Sequence, residues 1–199
     1  PMSARRQRQM CIRDRSLADT LIAAIRTPLT PQARLDLARR LLAEQAQSIP
    51  ALGALIRGRG VDLAAVTDWR DLPAVPTAAF KHMPLFTGDP AAAVRTFQTS
   101  GTSGSGPGRA YFSADGMAVM AQSIRVNAAA HLLAGGRATK ILVLAPPPQA
   151  APHMIMAAGM AQLVEEFSLP GGRFLIGPGG LDVPGLLAAV SYTHLTLPT

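Results

Sequence analysis

The sequence predicts an α/β fold that is preceded by a helical N-terminal region. In residues 16–93 the apolar side chains recur at the spacing of amphipathic helices. In residues 94–190 short apolar strands alternate with helical segments, a pattern that is typical of sheets built with crossover connections. The chain of 199 residues is 48% hydrophobic but only 5% aromatic, and it holds 18 glycines and 17 prolines. This composition indicates a loop-rich domain that is packed with small side chains.

Three helices are expected in the N-terminal region. The first covers residues 16–26 and places its leucines and isoleucines on one face. Thr30 can cap the second helix, and the proline at the next position suits a first helical turn. A third, short helix is expected at 51–57. A proline-punctuated connector over 67–76 comes next, in which we expect Trp69 to anchor the core.

Strands and helices alternate in the next part of the chain. The run 140–145 is continuously apolar and ends at prolines, as expected of a buried parallel strand. Asp115 can cap the helix that comes after the second strand. In chain order, we expect strands at 94–98 and 109–113, a helix at 116–133, the strand at 140–145, a helix at 154–167, a strand at 173–176 and a helix at 183–190.

The two ends of the chain differ from its body in composition. Residues 1–15 lack the alanine-rich, periodic pattern of the body, and residues 191–199 switch abruptly to threonine and leucine. Both strings resemble translated adaptor sequence, so we expect the chain to be an internal fragment. The predicted organisation is therefore an adaptor-derived tail (1–15), a helical region (16–93), a partial α/β subdomain (94–190) and a second adaptor-derived tail (191–199).

Charge, cysteine content and hydropathy exclude several classes of function. The net charge is +7, but five arginines lie in residues 1–15 and the body has no lysine-rich stripe, so we expect no nucleic-acid partner. Cys11 is the single cysteine, which excludes an intrachain disulfide and a CxxC metal site. The uncharged run 141–164 contains four prolines, so no membrane span is expected. The start has no signal segment, and we expect a cytoplasmic location.

The glycine- and serine-rich connection over residues 99–109 is the most informative string. Its glycines allow tight turns, whose successive backbone N–H groups form a concave nest that favours anions. Its hydroxyls add hydrogen-bond donors, and Arg109 adds a forked positive charge, so the string suits a polyphosphate. Other motifs do not fit. Pro107 stands where a P-loop requires lysine, Arg109 where the dinucleotide fingerprint requires its last glycine, and Ser105 where the serine-hydrolase elbow requires a glycine.

Residues 99–104 (TSGTSG) resemble the phosphate-binding signature of adenylate-forming enzymes, Ser/Thr-Ser-Gly-Thr-Thr-Gly-x-Pro-Lys/Arg. Ser103 replaces the second threonine of that signature, and Arg109 lies two positions beyond its usual basic residue. With the preceding strings PTAAFK and FQTSGT, the loop is similar to the acyl-protein synthetase family, the ATP-dependent fatty-acyl activating component of bacterial luminescence, and to its phenylacetate–CoA ligase-like relatives. The resemblance covers residues 69–167, with the loop as its one sharp motif.

The resemblance implies that residues 94–190 form the first, truncated α/β subdomain of an adenylate-forming enzyme. Such a ligase uses ATP and Mg²⁺ to convert a carboxylic acid, here a fatty acid, into an acyl-adenylate and then passes the acyl group to a protein thiol. An acyl reductase would be its partner protein. The implied site residues are the phosphate contacts Thr99, Ser100, Gly101, Thr102, Ser103 and Gly104, the charge clamp Arg109, and the carboxylate-orienting His153, with no metal-ligating side chain.

Several alternatives stay open. His153 could instead be a solvent-facing residue at a helix N-terminus. Phe80 and Lys81 match the family pattern, but the sequence gives them no role beyond packing or an approach to phosphate. The whole protein could be an acyl-CoA or aryl-CoA ligase, or a non-catalytic anion-binding module, and the loop could be a flexible linker. Because no segment resembles adenine-binding or ribose-binding motifs, we expect no acyl-adenylate formation by this chain alone.

Overall fold

The computed structural model describes residues 16–99, 106–133 and 137–191. The chain divides into two compact units, Pro1–Ser123 and Ile124–Thr199. Helices are accompanied by small two-stranded sheets, so the fold is broadly α/β, as predicted. The described α-helices are α1 (Leu17–Arg26), α2 (Pro31–Ser48), α3 (Pro50–Gly58), α4 (Ala114–His131), α5 (Ile155–Phe167) and α6 (Val183–Ser191). The described strands are β1 (Arg95–Gln98), β2 (Arg109–Phe112), β3 (Leu142–Val143), β4 (Arg173–Phe174), β5 (Ile176–Gly177) and β6 (Gly180–Leu181).

The predicted cap of α2 is confirmed, and α1 begins with a cap of the same kind. At the start of α1, the Ser16 hydroxyl accepts a hydrogen bond from the Asp19 N–H at 3.1 Å. At the start of α2, the Thr30 hydroxyl accepts one from the Ala33 N–H at 3.2 Å, and a proline opens the helix. Each cap satisfies a backbone donor that the helix itself cannot pair. The third predicted helix is also present, as α3.

A cluster of aliphatic side chains at the junction of α2 and α3 forms the core of the first unit. Ile49, Leu52 and Ile56 are each less than a tenth exposed, and Leu52 and Ile56 share a face of α3 because they lie four residues apart. Partly buried residues from α2 and from the segment after α3 pack against them, among them Leu42 and Val75. This cluster fixes the segment that carries the candidate site.

Trp69 does not anchor this core, so that expectation is wrong. The Asp68 carboxylate accepts a hydrogen bond from the Arg70 N–H at 2.9 Å and starts the short 3-10 helix Trp69–Asp71. The indole ring at the beginning of this turn is 64% exposed, and the Arg70 guanidinium lies 5.3 Å above it. Val66, three residues before Trp69, is buried instead.

Strands β1 and β2 form an antiparallel hairpin whose register runs from Arg95–Phe112 to Gln98–Arg109. Phe97 is buried on one face, and its ring meets that of Phe112 edge-on at a centroid distance of 5.3 Å. Helix α4 follows directly. Its capping residue is Ser113 rather than the predicted Asp115, because the helix begins earlier than expected and the Ser113 hydroxyl accepts from the Gly116 N–H at 3.0 Å.

The second unit contains the predicted parallel pairing, in a shorter form. Strand β3 pairs with β4 in parallel, and helix α5 lies between them in sequence. The apolar run forms a strand over only two residues, because Leu144 turns to solvent and is 59% exposed, and the prolines beyond it lack N–H donors. The predicted strand 173–176 is divided at Leu175, whose N–H bonds to Val143 while its carbonyl accepts from Asp182.

The two longest described helices, α2 and α4, each have 18 residues. Neither these nor the other helices of the described ranges combine the length and apolar character that a membrane crossing requires.

Candidate anion-binding cleft

The glycine- and serine-rich connection joins β1 to β2, and the hairpin is held closed at its base. The Thr99 N–H donates to the Gly108 carbonyl at 3.0 Å, one step beyond the last strand pair. In return, the Gly108 N–H donates to the Thr99 hydroxyl at 2.9 Å. Thr99 is thus a structural member of the loop as well as a predicted phosphate contact. Gly106 has a φ of 76°, a conformation that favours glycine.

A 3-10 helix, Thr77–Lys81, packs against this base. A Cβ atom added to Gly108 would lie 3.2 Å from the Thr99 hydroxyl oxygen, 3.5 Å from Lys81 Cγ and 3.6 Å from the Phe80 carbonyl carbon. Gly108 therefore lies next to both segments: the contacts to Lys81 and Phe80 would be ordinary van der Waals contacts, and only the one to the Thr99 hydroxyl would be tight. Two strings that are distant in the sequence, PTAAFK and the loop, meet at this point.

The packing leaves a surface cleft of about 390 Å³ beside the loop. Three segments line it: residues 80–84, residues 106–107, and the side of β2 that carries Arg109 and Tyr111. Lys81 and Arg109 bring two positive charges to the wall, His82 adds an imidazole, and no carboxylate is among the described lining residues. The cleft therefore has the charge and the hydrogen-bond donors that an anion requires.

The structure brings two of the predicted site residues to one end of the hairpin. Thr99 closes the loop, and Arg109 lies directly beyond it on β2, exposed at the cleft. The other predicted phosphate contacts lie outside the described residues: Ser100, Gly101, Thr102, Ser103 and Gly104. Their assignment as phosphate contacts stays a prediction.

His153 belongs to the second unit, whereas Thr99 and Arg109 belong to the first. It lies in a turn after the carboxyl end of β3, two residues before α5 begins, and its side chain is exposed. The residue at the N-cap, Met154, has no side-chain capping hydrogen bond. Both interpretations of His153, carboxylate orientation and a solvent-facing helix start, remain predictions.

Two cleft residues, His82 and Tyr111, were not expected at the site from the sequence, whereas Lys81 was considered for packing or for an approach to phosphate. The signal that the sequence offered was the string PTAAFK, whose lysine matches the family pattern. Lys81 and Arg109 are 28 positions apart, and the packing of a 3-10 helix on Gly108 brings them to the same cleft. The sequence could not reveal that packing.

The described part of the chain contains no cluster of side chains that could bind a metal ion without other ligands. Among residues 16–99, 106–133 and 137–191, no three histidine, cysteine or acidic side chains gather closely enough to hold a metal ion. Mg²⁺ usually keeps several waters and binds through substrate phosphates with one or two carboxylates, so it does not need such a cluster.

Comparison of the chain with protein-family models, with curated protein sequences and with solved structures gives no match. The family resemblance therefore rests on the motif residues themselves.

Proposed function

We propose that the cleft binds the polyphosphate of ATP and that the protein serves as part of an AMP-forming acyl-activating ligase. The observation that carries the proposal is the meeting of Lys81 and Arg109 in one cleft at the mouth of the glycine- and serine-rich loop. The guanidinium can form paired hydrogen bonds to phosphate oxygens, and the lysine ammonium adds a compact charge. By its sequence, the connection over residues 99–109 adds the hydroxyls and backbone N–H groups that the signature requires.

In the proposed reaction the cleft holds the β- and γ-phosphates while a carboxylate oxygen attacks the α-phosphorus. A bond forms between that oxygen and phosphorus, and the bond from phosphorus to the pyrophosphate oxygen breaks with its electron pair. Pyrophosphate leaves, and a deprotonated thiol then attacks the acyl carbon and displaces AMP. Lys81 and Arg109 would position the triphosphate and stabilise the charge that moves onto pyrophosphate. Bound Mg²⁺ would neutralise part of the phosphate charge.

Calorimetric titration of the chain with tripolyphosphate and with ATP, each with and without Mg²⁺, tests the phosphate-binding part. Arg109→Gln and Lys81→Gln should each weaken binding about tenfold, because a hydrogen bond to a charged group contributes about 1.5–3 kcal/mol. Arg95→Gln is the matched control, since Arg95 is exposed on the same hairpin and does not line the cleft. Equal affinities for all three variants and the parent chain would reject the assignment.

The identity of the thiol acceptor separates the two kinds of ligase. A protein thiol corresponds to the acyl-protein synthetase resemblance, and coenzyme A corresponds to the phenylacetate–CoA ligase-like relatives. Both kinds of ligase would use the cleft in the same way, so the calorimetric titration applies to either.

A further inference from the structure

A second pocket of the first unit, about 230 Å³ in volume, shares Tyr111 with the cleft. Helix α2 contributes Gln45 to its wall, residues 85–87 form another part, and the chain from β2 to the first turn of α4 forms the rest. None of its described lining residues carries a charge, in contrast to those of the cleft. We therefore expect an uncharged ligand, because an unpaired charge is costly to remove from water.

Three aromatic side chains line this pocket: Phe86, Tyr111 and Phe112. The rings of Phe86 and Tyr111 have their centroids 6.1 Å apart and their planes at 51°. This spacing is that of two rings in direct contact, so a flat ligand would lie against one of them and not between them. Phe112 is held by its edge-on contact with Phe97. Such a wall favours a planar ring, because heteroaromatic rings stack on aromatic side chains.

Gln45 supplies a paired hydrogen-bonding group opposite no charge. It is partly buried near the end of α2, and its side-chain carboxamide makes no hydrogen bond within the described part of the chain. The carboxamide presents a donor and an acceptor in one plane. A ligand edge that carries an acceptor next to a donor can pair with both, as the ring N7 and the exocyclic amino group of adenine do. The Ser113 hydroxyl, which accepts from the Gly116 N–H, can still donate to a ligand.

We propose that this pocket binds a nucleobase-like ligand, a flat and uncharged heteroaromatic ring that stacks on the aromatic wall and pairs with Gln45. Pockets for drug-sized ligands have volumes of about 300–1,000 Å³, so a space of 230 Å³ suits one ring or two fused rings. The ring can belong to a free base or to a nucleotide whose phosphates lie in the cleft. The inference does not rest on the proposed function, because it requires neither phosphate binding nor catalysis.

A comparison of adenine with unsubstituted purine tests the pairing with Gln45. The two ligands have the same ring system, but purine lacks the exocyclic amino group. In calorimetric titrations the parent chain should bind adenine about three- to tenfold more tightly than purine. Gln45→Leu, which loses the carboxamide, should bind both equally, and Gln47→Leu, at an exposed position of the same helix, should keep the preference. No preference in the parent chain, or a preference that survives Gln45→Leu, would overturn the proposal.

A substitution at Gly116 tests the location without changing a hydrogen-bonding group. A Cβ atom added there would lie 3.5 Å from Phe112 Cδ1 and 3.5 Å from Ser113 Oγ, which are ordinary contacts with two lining residues. Gly116→Leu should therefore occupy the pocket and weaken adenine binding at least tenfold, while tripolyphosphate binding stays unchanged. Gly58→Leu makes the same change at a helical glycine with no neighbour within 4 Å and should affect neither ligand. Equal adenine affinities in the two variants would refute the location.

Competition with ATP identifies the source of the ring. If the pocket takes the base of a nucleotide, ATP displaces both bound adenine and bound tripolyphosphate. If it takes a free base, ATP displaces tripolyphosphate and leaves adenine bound. Because tripolyphosphate is titrated separately, failure of this proposal is distinguishable from failure of the proposed function.

Discussion

The two units of the chain bury different kinds of side chain. The described buried hydrophobic residues of the first unit are all larger than alanine: Leu35, Ile49, Leu52, Ile56, Val66 and Phe97. In the second unit alanines make up more than half of those described: Ala128, Val143, Ala145, Ala157, Phe167, Leu175 and Ala189. Large hydrophobic side chains of the second unit are instead exposed, for example Leu132, Leu144 and Leu187. Since hydrophobic stabilisation is proportional to the apolar area removed from water, the first unit has the stronger core.

The predicted site residues are divided between these two units, with Thr99 and Arg109 in the first and His153 in the second. The cleft is lined by residues of the first unit alone. His153 lies on the unit with the weaker core. A site that must hold charged groups at fixed positions benefits from rigid elements beneath it.

The largest expected effect is the loss of stability when a buried leucine of the first unit is truncated, compared with truncation of an exposed leucine of the second unit. Leu52→Ala should lower the free energy of unfolding by about 2–5 kcal/mol, because it leaves a cavity in a buried cluster. Leu187→Ala, at a side chain that is 64% exposed, should change it by less than about 0.5 kcal/mol. Urea denaturation followed by circular dichroism measures both. A loss at Leu187 as large as that at Leu52 would break the contrast between the units.

Substitutions at two helix caps should change stability by an intermediate amount and in opposite directions. Thr30→Ala removes a capping hydrogen bond in the first unit and should lower stability by about 1 kcal/mol. Met154→Asp introduces a capping group in the second unit, where the N-cap of α5 has no side-chain hydrogen bond, and should stabilise that helix by a similar amount. Hydrogen exchange of the α2 and α5 amides reports the two helices separately. Slower exchange after Thr30→Ala, or faster exchange after Met154→Asp, would contradict the assignment.

The smallest effect is expected at the exposed turn that starts with Asp68. The hydrogen bond from the Arg70 N–H lowers the pKa of the Asp68 carboxyl below its ordinary value. A lowered folded-state pKa stabilises the protein above the unfolded-state pKa, and this contribution is lost as the pH falls below about 4. Asp68→Asn should therefore slightly reduce the acid sensitivity of the melting temperature, and Asp71→Asn should not. Identical pH profiles for parent and Asp68→Asn would contradict this.

Local signals in the sequence predicted much of the secondary structure. Thr30 was identifiable as a cap because a cap depends on a hydroxyl and the next three residues. Asp115 was the wrong choice of cap because Ser113, two residues earlier, can also accept a hydrogen bond from a backbone N–H. The position at which α4 begins decides which of the two side chains caps it. The predicted strand 173–176 is divided at Leu175 because the N–H and the carbonyl of this residue bond to two different segments, at Val143 and Asp182. No local sequence pattern indicates that the hydrogen-bonding partner changes there.

At the candidate site, too, residues of one sequence motif could be predicted, whereas residues brought there by long-range packing could not. The loop and Arg109 were recognisable from composition and spacing, whereas the role of Lys81 required the contact of its side chain with the base of the hairpin. Trp69 was misjudged because size and hydrophobicity favour burial in general, and the turn set by Asp68 overrides that preference here. The position of Lys81 beside the hairpin depends on packing between distant segments, which no local pattern in the sequence reveals.

The pair of hydrogen bonds between Thr99 and Gly108 has a consequence for how this region can change over time. Because the ends of the connection are fastened to each other, the register of β1 and β2 does not depend on how many residues lie between them. Doubling the length of a flexible loop costs only about 0.6 kcal/mol of closure entropy. Insertions in this connection can therefore accumulate without disturbing the hairpin, so the sequence of the loop can diverge while its supporting framework is maintained.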